Sequence, residues 1–268
     1  MKLKFLALAL FGLSVPVFAH DTWVETNTPL YRVGDVAHID LKLGNHGNNH
    51  RDFKLASKVA LDGVKMEVVA PDGKRYDLKS SLTDTGYTPK EGFWTGGFTN
   101  AAPGLYCVHQ TLDAVMTYAP ERAIKSAKTY FMASKSLDRV PMAAPGFDKR
   151  LGDALEIVPE NNPIAPIGAG MPLKLRLYFQ GKPLAKTKIS FIPEGETLRG
   201  DFDSRYEAIT NINGRVTFTP TEAKRYLAVA HVETKEAGQN KAGEKYTFTQ
   251  YGATLTVYIP AICPCCGG

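Results

Sequence analysis

Alternation with a period of two is the feature that most restricts this chain. In "VAHIDLKLG" (36–44), Ala37, Ile39, Leu41 and Leu43 fall on one side, and His38, Asp40 and Lys42 on the other. A segment with that pattern buries one face as a β-strand and has no apolar stripe to offer as a helix. "VKMEVVAPDGKRYDL" (64–78) reads as two strands around a Pro71-Asp72-Gly73 turn. "GFWTGGF" and "GLYCVHQTL" read as a second pair, and "AIKSAKTYFMA" (123–133) as a further strand. One short helical turn is expected near "FKLASKVAL".

The same grammar resumes after a segment punctuated by proline and glycine. "MPLKLRLYFQGKPLAKTKISFIPEG" carries two strands, and "YEAITNINGRVTFTP" reads as a hairpin because Asn213-Gly214 suits a tight two-residue turn. "YLAVAHVE" and "YTFTQYGATLTVYIP" add two more. Short strands at regular spacing, with turn residues between them, predict an all-β fold of two β-sandwich domains. Tyr106, in "PGLYCV", has the place of a corner tyrosine at the start of a late strand, a device of Ig-like sandwiches.

The expected organisation is a signal peptide at 1–19, a first sandwich at 20–138 and a linker at 139–152. A second sandwich at 153–260 and a cysteine-rich tail at 261–268 complete it. The leader reading rests on Lys2 and Lys4, an apolar run from Phe5 to Val15, and small residues Val17 and Ala19 before His20. It predicts an exported product of 249 residues (268 minus 19) with no membrane insertion after cleavage. Removing two lysines lowers the formal charge from +5 to +3, too little and too evenly spread to predict a nucleic-acid partner.

The candidate chemistry is metal binding. A histidine left as the first residue offers its α-amino nitrogen and its imidazole Nδ1 to one ion, closing a chelate ring. His20 would be that residue. His46 and His50 lie in the glycine- and asparagine-rich loop "GNHGNNH", where a turn is needed to make them converge. His109 is two residues from Cys107 on one strand face, although a lone cysteine there is more often a small buried hydrophobe. His231 ends an apolar strand, as either a ligand at the sheet rim or a hydrogen-bonded structural residue. Cys263, Cys265 and Cys266 suit a soft ion or oxidise with one another. No nucleophile elbow, phosphate loop, dinucleotide fingerprint or zinc-protease motif occurs, so the chain is not expected to be an enzyme. Asp201 and Asp203 in "GDFDSR" lack the further ligands of a calcium site.

Several short stretches together resemble a known family. In the first half they are "AHDTWVE", "YRVGD" and "LGNHG"; in the second, "LEIVPENNP", "FQGKPLAKTKISF", "TNINGRVTFTP" and "AVAHVE". The family comprises exported proteins with a domain of unknown function, associated with the periplasmic substrate-specific component of nickel or cobalt uptake. The resemblance implies an Ig-like sandwich followed by a prealbumin-like one, and nickel or cobalt as the bound ion. It also implies a membrane metal transporter as partner, with His20 and His46 matching family histidines. Copper is the alternative, favoured by histidine in first position and by the cysteine tail; a copper enzyme that attacks polysaccharides oxidatively and a sandwich module without metal are the remaining ones.

Overall fold

The computed structural model describes residues 20–44, 54–138, 140–141 and 143–262. The first half contributes β1 (Asp21–Thr26), β2 (Leu30–Arg32), β3 (Val36–Gly44), β4 (Leu55–Ser57) and β5 (Val64–Val69). It continues with β6 (Arg75–Asp77), β7 (Thr83–Gly86), β8 (Gly92–Thr99), β9 (Gly104–Val115) and β10 (Glu121–Ser134). The second half begins with β11 (Leu155–Pro159), β12 (Leu173–Phe179), β13 (Lys182–Pro183), β14 (Lys188–Pro193) and β15 (Glu207–Ile209). It ends with β16 (Arg215–Phe218), β17 (Arg225–Thr234), β18 (Gly238–Gln239), β19 (Lys245–Tyr246) and β20 (Phe248–Tyr258). The fold is all-β, and one 3-10 turn at Lys79–Ser81 is the sole helical piece among the described residues. No described helix is long and apolar enough to cross a membrane.

Two sandwiches share a single backbone sheet. The first sheet runs β1-β3-β8-β7, with β4 also on β3. The second runs β15-β14-β17-β20-β10-β9-β5-β6, with β2 also on β10. Its two halves meet where β10 and β20 pair in parallel over nine rungs, from Glu121↔Phe248 to Thr129↔Thr256. The third sheet, β11-β12 with β13 and β16 on the far side of β12, covers the second half of that long sheet.

Alternation accounts for the inward faces. Ala37, Ile39 and Leu41 of β3 oppose Met66, Val68, Tyr106, Val108 and Phe131 in one core, where Tyr106 and Phe131 stack at 4.8 Å. Leu175, Leu177, Phe191, Phe218, Tyr226 and Leu255 build the other, with Phe191 stacked on Phe218 at 4.3 Å. Each such fully buried side chain contributes about 1.5–3 kcal/mol. The second core also draws Trp23, Leu105, Cys107, Tyr130 and Met132 from the first half, so apolar packing crosses the boundary as the sheet does. Tyr106 Oη donates to the Ala102 carbonyl at 2.8 Å, as its position in the sequence suggests. Tyr226 repeats the device four residues from Glu222, whose carbonyl it meets at 3.2 Å.

Three local expectations are corrected by the pairing. The described part of "FKLASKVAL", residues 54–61, forms strand β4 and no helical turn, because Leu55 and Ser57 add to the edge of β3. β8 pairs with β3 and β7, whereas β9 pairs with β10 and β5, so these neighbours in sequence stand in opposite sheets. The Asn213-Gly214 turn likewise joins strands of different sheets, β15 on β14 and β16 on β12. Gly214 is required there: its φ is +72°, and a Cβ would lie 2.6 Å from the Leu177 carbonyl oxygen. The turn chemistry was legible, but a turn can close a hairpin or arch between layers with the same residues.

Candidate functional site at the amino-terminal end of the sandwich

β1 enters between the layers, and its six residues are all buried although four are polar. It pairs with β3 from Asp21↔Gly44 to Thr26↔Ile39. Polar partners make that burial tolerable, since a buried polar group is costly unless hydrogen-bonded. Thr22 Oγ1 donates to Gln110 Oε1 at 2.8 Å, and Thr254 Oγ1 donates to the Thr22 carbonyl at 2.8 Å. Trp23 Nε1 donates to Glu25 Oε2 at 3.2 Å.

Asp21 lies over a row of three residues on adjacent strands. Lys125 of β10, Gly252 of β20 and His231 of β17 are direct cross-strand neighbours. Asp21 Oδ1 is 2.8 Å from His231 Nε2. Gly252 lies beneath this meeting, and a Cβ there would make ordinary contacts, 3.4 Å from Asp21 Oδ1 and 3.7 Å from both His231 Cδ2 and Lys125 Cγ. Lys125 Nζ donates to the backbone carbonyl of His20, tying the start of β1 to the middle of the long sheet. Burial pushes the Lys125 ammonium below its usual range, against the opposing pull of Asp21 and Glu121. Burial raises the Glu121 carboxyl, with Lys125 acting the other way. Glu121 Oε1 and Gln110 Nε2 have no hydrogen-bond partner among the described residues.

His20 also borders a cleft of about 170 Å³ whose other walls are mainly apolar, including Leu43, Val59, Leu112 and Met116. Asp21 faces Gly44 on the ladder, and Gly44 in turn faces Leu55 on β4. The chain therefore leaves for residues 45–53 and returns from them at the same end of the sheet as His20. His46 and His50 themselves lie outside the described residues, as do Cys263, Cys265 and Cys266.

The remaining candidates are held elsewhere. His109 is buried, with Nδ1 3.1 Å from Glu67 Oε1 and Nε2 3.0 Å from Asp153. Cys107 donates to the Val108 carbonyl at 3.6 Å, and burial pushes its thiol up to about 12. A thiol so protonated is a poor metal ligand and nucleophile. Among the described residues, no group of three or more His, Cys, Asp or Glu side chains is arranged to hold an ion. His109 and His231 thus each meet carboxylates, and the structure does not bring them together with Cys107 in one cluster. Asp203 accepts from the Arg199 and Arg205 backbone amides and from the Arg205 guanidinium, which organises its own loop.

Sequence reasoning missed Asp21, Lys125, Glu121, Glu67 and Asp153. On β10, "ERAIKSAKTYFMAS" places Lys125 and Lys128 on opposite faces, and a lysine on either face of a strand reads as solvated by its charge. They are buried because a second layer covers each face of the central strand, and no local pattern records that cover.

A family model described as Domain of unknown function (DUF4198) matches residues 17–234, ending at the last residue of β17. No curated protein matches the chain at a significant level. Among solved structures, a DUF4785 family protein from Legionella pneumophila is similar at 14% identity and a TM-score of 0.29. That alignment covers 77% of this chain and 52% of that one, so this chain spans about half its length. The D0-D1 domain of intimin aligns at 12% identity and a TM-score of 0.23, covering 88% of this chain and 97% of that one. Trypsin-activated alpha-2-macroglobulin from Escherichia coli aligns at 11% identity and a TM-score of 0.26, covering 92% and 16%. Likenesses this remote carry no information on function.

Proposed function

The chain belongs to the DUF4198 family, a domain of unknown function, and from that premise we propose that it is an exported transition-metal carrier. Its cargo in this reading is nickel or cobalt, held in the periplasm and passed to a membrane transporter. His20 is the anchoring residue, through its α-amino nitrogen and Nδ1 once a leader is removed. His46 and His50 are the proposed further ligands.

One observation supports this reading above the rest. Residue 20 is tied down by Lys125 at its carbonyl and by the Asp21↔Gly44 rung behind it, at the sheet end where segment 45–53 departs and returns. A chelating residue gains affinity when its position is set before the ion arrives. The Asp21–His231 contact supplies a carboxylate and an imidazole beside it.

The test combines amino-terminal sequencing of the exported protein with elemental analysis and calorimetric titration by Ni(II), Co(II), Cu(II) and Cu(I). Tight binding of Ni(II) or Co(II), lost at least 100-fold in His20→Ala, is the expected result. A processed chain beginning elsewhere, or no binding of either ion, overturns the reading; binding of copper alone transfers it to copper handling.

A further inference from the structure

The open face of the third sheet carries an arrangement that folding alone does not favour. Arg176 of β12 and Arg215 of β16 are direct cross-strand partners. Like charges placed opposite one another destabilise a sheet pair. Lys174 follows two residues away on the same face of β12, and Arg150 reaches the face from the linker. Its guanidinium and that of Arg176 lie 5.0 and 5.1 Å from the ring centre of Tyr178, so the aromatic holds both forks in place. Glu160, 2.8 Å from Arg215 Nε, is the one carboxylate paired with this group among the described residues. Four cations thus share one acid on a rigid, extended surface, and backbone carbonyls take only part of their donor capacity: Arg176 Nε donates to the Asn213 carbonyl at 2.9 Å and Arg150 Nη1 to the Gly181 carbonyl at 2.5 Å.

We propose that this face docks an extended acidic peptide segment whose carboxylates alternate along its length. Residues two apart on a strand are separated by about 6.8 Å, and alternate side chains of an extended peptide repeat at the same interval. Glutamates at every second position therefore meet Lys174 and Arg176 in step, with Arg215 and Arg150 flanking the row. Guanidinium forks suit carboxylates in paired hydrogen bonds, and the incoming charge removes the Arg176–Arg215 repulsion. The partner is another polypeptide, and the inference stands independently of any metal.

The test uses the full processed chain and a fluorescent peptide of four Glu-Thr repeats, followed by anisotropy at low and moderate salt. Saturable binding is expected, weakening as salt rises. Arg176→Ser with Arg215→Ser should weaken it at least tenfold while a single cooperative thermal transition persists, its midpoint changed only slightly because relief of the like-charge pair offsets loss of the exposed Glu160 and Asn213 contacts. Thr217→Glu, an exposed change opposite Lys174, should weaken it as well and guards against misfolding of the first variant. Absence of binding, or variants that bind like the parent, overturns the proposal. So does equal or tighter binding of a peptide with its four glutamates contiguous, of dextran sulfate, or of phosphatidylglycerol vesicles, since each removes the match of spacing or of partner.

Discussion

Individual residues carry their environment in their reactivity. Cys107 has its thiol raised to about 12 by burial, so at pH 8 it is neutral as well as inaccessible. Alkylation of the native protein at that pH is expected to leave Cys107 unmodified, while alkylation in denaturant labels it; peptide mass mapping distinguishes the two. Asp203 behaves in the opposite sense. The Arg205 guanidinium beside it, joined by backbone amides, holds its carboxyl far below the ordinary 3.8. A depressed folded-state value means that the unfolded chain takes up the proton first, so this stabilisation is full above about pH 4 and fades as pH falls further. Asp203→Asn should cost about 1–3 kcal/mol at neutral pH and flatten the acid limb of a stability profile. Denaturant titrations between pH 2 and 7 measure both.

At the scale of elements, the contact of β10 with β11 is the informative one. Lys128 and Glu156 form an ion pair at 2.5 Å, with both side chains 2% exposed. Glu156 also accepts the Leu151 amide at 2.6 Å and the Gly152 amide at 3.2 Å, which fastens the linker to the start of the second half. Breaking a buried pair from one side leaves an uncompensated charge and costs about 3–5 kcal/mol, whereas replacing both partners is far milder. Lys128→Ala is therefore expected to lower the unfolding temperature sharply, and Lys128→Met with Glu156→Gln to recover most of the loss. Equal destabilisation by the two variants in thermal melts would remove the electrostatic account. His109, set between Glu67 and Asp153, gives the same junction a second polar tie from β9.

For the whole molecule, the parallel pairing of β10 with β20 makes the two halves one hydrogen-bonded body. Separating them would expose nine rungs and the apolar contacts that Trp23, Leu105 and Met132 make with the second core. Such an interface resembles an interior more than a hinge between domains. Cleavage at the exposed stretch 148–150 by limited proteolysis should leave both fragments co-eluting as one species on gel filtration. Calorimetry of the intact chain should show a single transition. Two separate transitions, or fragments that part without denaturant, would show the shared sheet to be weak.

Local pattern was enough to establish the all-β class, most strand positions and the turns at Pro71-Asp72-Gly73 and Asn213-Gly214, because alternation and backbone preferences act within a few residues. It also drew attention to His20 and to the histidine-bearing segment after β3. Which strands pair was beyond it. β8 and β9 lie in opposite sheets, β15 and β16 likewise, and β10 meets a partner more than a hundred residues away, since alternation specifies a face but names no neighbour. The polar set of buried Asp21, Lys125 and Glu121 with half-buried His231 was hidden for a related reason: a lysine on a strand looks solvated until a second layer closes over it. Only the packed molecule, where four strands distant in sequence bring Asp21, Lys125 and His231 around Gly252, supplies the contacts these three make.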